Sequence, residues 1–206
     1  MARVSQEHLD ARRRQILDGA ARCFARNGFH ATSMQDILRE ADLSAGAVYR
    51  YFRSKEELIA AIADVAFTEV RTAFEEASAA VPPPTPDVLI GRVLRRMLEG
   101  RVLGIGRRSF ARLVVQVWSE TLRDEQLAAT LAEGYNGLRL SWAKLVDAYR
   151  DNGLMDSDVP ADHVARTLIA TAQGFIAQQA LFGNVEVDVL EDGLRGLMSM
   201  QQPKIS

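Results

Sequence analysis

The sequence predicts an all-α protein: an N-terminal three-helix helix-turn-helix domain followed by a larger helical domain, about nine helices in total. Three observations predict it. Nearly every segment repeats its apolar residues at helical spacing, and no strand-like alternation is sustained. Two short helical segments, after Thr32 and after Ser44, are joined by about three residues, the spacing of a helix-turn-helix. Charge divides at the same place: residues 1–55 hold ten Lys or Arg against six Asp or Glu, a net of +4, and the remainder holds 15 against 21, a net of −6. A basic head on an acidic body points the head towards a polyanion, although a split of this size also arises by chance.

The first helix is expected from about Gln6 to Asn27, with Ile16, Ala20, Cys23 and Phe24 on one face and Asn27-Gly28 as its stop. TSMQ reads as a capping box for the second, with Thr32 at the N-cap and Gln35 at N3. Met34, Ile37, Leu38 and Ala41 then form a single apolar face. The third helix opens at Ser44. SKEE places Ser54 and Glu57 in a second capping box, opening a long fourth helix to about Ala80 that VPPPTP ends. Five helical segments follow, at 87–102, 107–121, 124–151, 160–182 and 187–200, with Gly134 and Gly137 as a possible kink in the third of these.

Composition excludes several classes of function. The 206 residues, 48% hydrophobic and 25% charged, suffice for a sizeable core. The first residues lack the apolar run of a secretory signal, and no stretch approaches the ~20 apolar residues of a membrane span, so a cytoplasmic protein is expected. A single cysteine, Cys23, forms no internal disulfide and reads as a small buried hydrophobe. Three histidines, no Gly-rich phosphate loop and no paired metal ligands argue against an enzyme, a metal and a cofactor.

The third helix carries the chemistry. With Ser44 at the N-cap, Leu43 and Val48 occupy the positions of a hydrophobic staple, and Val48 and Phe52 share the buried face. Ala45, Gly46, Ala47, Tyr49, Arg50 and Tyr51 are left largely outward. Small residues let a helix end approach base edges in a major groove about 12 Å wide, while tyrosine hydroxyls and an arginine reach phosphates. Lys55 is placed for another phosphate, and Thr32 and Ser33 offer hydroxyls and amides to one more. A small helical subdomain with packed tyrosines, or a protein-binding surface, is the alternative.

GFHATSMQDILREADLSAGAVYRYFRSKEELI resembles the DNA-binding head of TetR-family transcriptional regulators. The pattern is carried by Thr32, Ile37, Ala41, Ser44, Gly46, Tyr49, Tyr51, Phe52, Lys55, Glu56 and Leu58, over about 50 of the 206 residues. Asp42 departs from it, standing where the family usually has Gly, but Asp tolerates a left-handed backbone. The resemblance implies phosphate contacts by Tyr49, Tyr51 and Lys55, base-facing positions at Ser44, Ala45, Gly46 and Ala47, and Arg50 near base or backbone. Alanines offer the bases only methyl contacts, so specificity falls to Arg50, Gln35 or DNA shape. Arg12, Arg13 and Arg14 either flank the DNA or form a solvated face.

The resemblance divides the chain into a DNA-binding domain, 1–54, and a ligand-binding and dimerisation domain, 55–206. It implies a homodimeric, ligand-responsive repressor on a palindromic operator, released by a small molecule; an activator remains open. Candidate pocket residues are Phe67, Met97, Phe110, Trp118, Tyr135, Trp142 and Phe175, with Gln116 and Gln173 as polar groups; for each, ordinary core packing is the alternative. The last two helices, with Leu168, Ala172, Ile176, Val189, Gly193 and Leu197, are candidates for a dimeric four-helix bundle, or for the intramolecular core.

Overall fold

The computed structural model describes residues 6–99, 103–156, 158–183 and 185–200. Residues 100–102, the expected end of the fifth helical segment, lie outside the described residues. The described residues form nine helices: α1 (Gln6–Asn27), α2 (Met34–Ala41), α3 (Ala45–Tyr49), α4 (Lys55–Ser78), α5 (Pro86–Leu98), α6 (Arg107–Glu120), α7 (Glu125–Asp151), α8 (Ala161–Leu181) and α9 (Val187–Met198). None is long and apolar enough to cross a membrane.

Helices α1 to α3 form the head. Gly19 of α1 sits against Ala41 of α2, where a Cβ would lie 3.1 Å from that of Ala41, so the two backbones approach closely. Glu40 of α2 pairs with Arg22 at 2.7 Å and Arg26 at 3.0 Å on α1. Asp42 caps α2 in the left-handed region (φ 52°), as its short polar side chain permits. The next amide, of Leu43, bonds back to the Leu38 carbonyl at 3.1 Å and turns the chain sharply into α3. Ile16, Phe24, Ile37, Val48 and Phe52 close the head's core. Cys23 is wholly buried among them, and burial, then the nearby Glu40 carboxylate, pushes its thiol pKa up.

Two expected capping boxes take different forms. Ser33, not Thr32, caps α2: its hydroxyl accepts from the Asp36 amide, and the Asp36 carboxylate accepts from the Ser33 amide at 2.9 Å. Thr32 is instead 1% exposed, its hydroxyl donating to the carbonyls of Gly28 (2.7 Å) and Cys23 (3.3 Å). At α4, Ser54 accepts from the Glu57 amide, but Glu57 reaches back to the Arg53 amide at 2.7 Å.

Helix α4 joins head to body. Its first half buries Leu58, Ile59 and Ile62, and one continuous apolar core runs from Ile16 of α1 to Val187 of α9. In the body, α8 packs on α6 and α7, and α9 on α5. Pro86 occupies the first turn of α5, where its missing amide costs nothing. Helix α7 runs unbroken through Gly134 and Gly137. Gly134 answers to close approach rather than to a kink: a Cβ there would lie 2.5 Å from the Phe67 ring of α4.

Candidate nucleic-acid interface and ligand cavity

The short α3 is held by its buried side, Val48, with Phe52 just beyond its end. Its other side is open. Ser44, Ala45, Gly46 and Arg50 are exposed, Tyr49 is 46% exposed, and Ala47 is half-buried. A Cβ added at Gly46 would meet nothing within 4 Å, so nothing in the chain itself demands glycine there. The Ser44 hydroxyl accepts from the Ala47 amide at 3.4 Å and keeps its proton for another acceptor. Gln35 and Ser33 are exposed at the start of α2.

Three expected phosphate ligands are partly or wholly engaged within the chain. Thr32 is buried and already bonded. Lys55 donates to the Phe29 carbonyl at 2.8 Å, its ammonium 4.6 Å from the centroid of the Phe29 ring, which leaves only part of its donor capacity for another partner. Tyr51 is half-buried against the core rather than fully outward. Of the basic run, Arg13 lies over the Phe52 ring at 5.5 Å and so links α1 to the residues just beyond α3, while Arg12 donates to Gln15 one turn along α1 itself.

The start of α2 also carries a fixed negative charge. Asp36 accepts from the Ser33 hydroxyl at 2.6 Å and from its amide, and pairs with Arg39. These bonds, in that order, lower its pKa to about 2. The lowered value means that the folded head favours the carboxylate, so the cap is complete above the ordinary value of 3.8 and is lost as pH falls through about 2. A carboxyl ¹³C titration of Asp36 is expected to give a midpoint near the lower value; a midpoint near 3.8 would contradict the capping geometry.

The body holds a cavity of about 130 Å³ between α4, α5, α6, α7 and α8. Each helix presents one stripe to it: Val114, Val117 and Trp118 from α6; Leu131, Tyr135, Leu138 and Trp142 from α7; Ile169, Ala172, Gln173 and Ile176 from α8. Phe67, Met97, Phe110, Trp118, Tyr135, Trp142 and Gln173 all line it, as expected. Gln116 and Phe175 do not. Gln116 falls off the 114–117–118 stripe of α6, its Oε1 buried without a hydrogen-bond partner among the described residues. Phe175 falls off the 169–172–173–176 stripe of α8 and packs in the core. The α4 wall, Ile62, Ala66, Val70 and Phe74 beside Phe67, was missed, although its helical spacing marks it.

The cavity's polar feature is a chain of three side chains. Trp118 Nε1 donates to the Tyr135 hydroxyl at 2.7 Å, and Gln173 bonds to the same hydroxyl. Burial pushes the Tyr135 pKa up, so the phenol stays neutral. Phe67 meets Tyr135 edge-on at 5.2 Å, and Phe74 meets Trp142 edge-on at 4.8 Å.

Head and cavity share a joint. Phe29 and His30, in the turn between α1 and α2, touch two cavity-lining helices: Lys55 of α4 holds the Phe29 carbonyl, and His30 Nε2 lies 3.2 Å from Glu120 Oε2 of α6. Glu120 is largely buried and stands two residues beyond Trp118.

The expected dimer residues divide. Leu168, Ala172 and Ile176 face inward, the latter two lining the cavity, because that side of α8 packs within the chain. Val189, Gly193 and Leu197 of α9 are exposed, as are Leu181 and Phe182 at the end of α8. The opposite side of α9 is pinned to α5 by Arg95 with Glu191 and Asp188, and by Arg195 with the buried Asp87. Gly91 of α5 makes room for the Glu191 carboxylate, into which any Cβ would run; Gly193 and Gly196 have no neighbour at the Cβ position.

Fold and surface together define a two-domain helix-turn-helix protein. Residues 16–62 match the family model for bacterial regulatory proteins of the tetR family, and residues 92–197 match that for the C-terminal domain of BetI-type transcriptional repressors. A stretch of 63 residues is 46% identical to the HTH-type transcriptional repressor Rv1474c of Mycobacterium tuberculosis, covering 31% of this chain and 34% of that one. The HTH-type transcriptional regulator UidR of Escherichia coli is 27% identical over 80% of each chain. Among solved structures, Salmonella enterica GusR superposes with a TM-score of 0.74 at 28% identity, covering 97% of this chain and all of that one. The chain belongs to the TetR family of transcriptional regulators.

Proposed function

We propose that this regulator is a homodimeric, ligand-responsive repressor that binds a palindromic operator in the cytoplasm and releases it when a small molecule occupies the body cavity. The observation that carries this reading is the double role of α4. It walls the cavity from Ile62 to Phe74, and its first residue, Lys55, holds the turn that leads into α2. A ligand that prefers one position of α4 therefore biases the position of the head. The His30–Glu120 contact offers α6 a second route. Two heads related by a two-fold axis read half-sites whose spacing the α4 helices set, so a small displacement per head breaks the register.

On the DNA side, Ser44, Ala45, Gly46 and Ala47 face the bases, Tyr49 and Arg50 the backbone, with Gln35 and Ser33 at the edge. Replacing Tyr49 by Phe removes one hydroxyl without altering the packing. Loss of a hydrogen bond to a charged phosphate costs about 1.5–3 kcal/mol, so affinity should fall about tenfold or more. The fall should be the same on operator and on random DNA, because every sequence presents phosphates. Fluorescence anisotropy on both DNAs tests this; a loss confined to the operator would place Tyr49 at a base.

A further inference from the structure

We infer that the body cavity takes an uncharged compound built on one aromatic ring with a single hydrogen-bonding substituent, the ring held between the aromatic walls and the substituent by Gln173. The inference rests on the ligand-responsive reading above and names the ligand class of that site.

Charge is the first constraint. None of the described residues lining the cavity is charged, and the one titratable phenol, Tyr135, is held neutral by burial. An ion entering such a space sheds its water with no counter-charge to replace it, which costs far more than a ring–face contact returns. Asp64 and Glu133, with Arg71, line a neighbouring groove between α4 and α7, on the other side of the shared wall of Phe67, Val70, Phe74 and Leu138. Anionic lipids, nucleotide-bearing compounds and quaternary ammonium ions are therefore disfavoured on the same ground.

Size is the second. The cavity's 130 Å³ compares with the engineered apolar cavity of about 150 Å³ that stays dry and binds benzene. One ring fills it. The walls suit a ring: Phe67, Phe74, Phe110, Tyr135 and the two tryptophans bound the space.

Polarity is the third. The Tyr135 hydroxyl accepts from Trp118 and is bonded to Gln173, so two of its sites are occupied. A primary amide has an acceptor oxygen and two donor hydrogens, and one bond to Tyr135 leaves Gln173 with capacity for both a donor and an acceptor on the ligand. A phenolic hydroxyl meets that need; a purely apolar ring leaves it unmet.

Both tryptophans of the chain, Trp118 and Trp142, line the cavity, so intrinsic fluorescence reports occupancy directly. The full-length protein is titrated with p-cresol, toluene, p-toluate and benzyltrimethylammonium, with calorimetry as a second readout. Saturable binding of p-cresol is expected, with toluene at least about fivefold weaker and both ions at least about tenfold weaker, as an unmet hydrogen bond and an uncompensated buried charge require. Gln173→Leu should erase the preference of p-cresol over toluene while retaining toluene, which also shows that the variant is folded. Binding of either ion as tightly as p-cresol, or no binding of p-cresol, overturns the assignment. Operator binding is measured beside each titration: p-cresol that binds without releasing DNA upholds the ligand class and defeats the switch, whereas release by an ion alone upholds the switch and defeats the ligand class.

Discussion

A Leu197→Glu chain is expected to be monomeric at concentrations where the dimer proposed for the parent sequence forms, and to lose about a hundredfold or more in operator affinity. Leu197 is 67% exposed, so the change removes no core contact within the chain. It acts on the face that α9 leaves open, where the apolar Val189 is exposed as well, as are Leu181 and Phe182 at the end of α8. Such surfaces on soluble proteins mark sites of association. Around a two-fold axis the patch meets its own copy, so each dimer would bury two carboxylates against apolar surface or against each other. Losing the dimer converts two linked head-binding events into one, and linkage of this kind is worth about 10²–10⁴ in affinity. Sedimentation velocity reads the first effect and anisotropy on the operator the second, while an unchanged far-ultraviolet dichroism spectrum shows that the helices remain. A variant that stays dimeric would place the interface elsewhere; a monomer that binds the palindrome as tightly would remove the need for two heads.

The fate of this face shows which parts of the chain were legible in its sequence. Helix ends were legible wherever a local stop was written out: Asn27-Gly28 ends α1 and the prolines of 81–86 follow the end of α4, because their backbone constraints act without help from the rest of the fold, whereas Pro86 read only as part of that stop and proves to open α5. The choice between Thr32 and Ser33 was not local. Both hydroxyls can cap a helix, and what decides is that Thr32 is drawn under α1 to the Cys23 and Gly28 carbonyls. Lys55 illustrates the same limit: its position in the motif names a phosphate, but not the carbonyl and the ring that the fold also gives it. On α8 the difficulty was different. The helix is apolar on more than one side, so periodicity cannot say which side meets the chain's own core, and Leu168, Ala172 and Ile176 turned inward. The cavity stripes were readable in principle, since the 114–117–118 and 169–172–173–176 spacings exclude Gln116 and Phe175, yet only the packing of five helices shows that those stripes converge.

Gly134→Ala is expected to abolish, or weaken at least tenfold, the binding of p-cresol in the cavity while leaving the melting temperature within a few degrees of the parent. A Cβ at this position would lie 2.5 Å from two atoms of the Phe67 ring and 2.7 Å from a third, where ordinary contact begins near 3.4 Å. The ring therefore has to move by about 1 Å, and the open space beside it is the cavity whose wall it forms. Overpacking of this kind costs about 1–3 kcal/mol in a dense core. Here it is relieved by filling a void, and Ala in place of Gly inside a helix returns about 1 kcal/mol. Stability is thus nearly balanced while the ligand loses its room. Gly137, one turn further along α7, supplies the control, because a Cβ there meets nothing within 4 Å. Gly137→Ala should raise stability by about 0.5–1 kcal/mol through helix propensity alone and leave p-cresol binding intact. Thermal unfolding and fluorescence titration of the two variants together decide the matter. If Gly134→Ala binds p-cresol as the parent does, Phe67 is not a fixed wall of the site, and the glycine serves only the packing of α4 on α7.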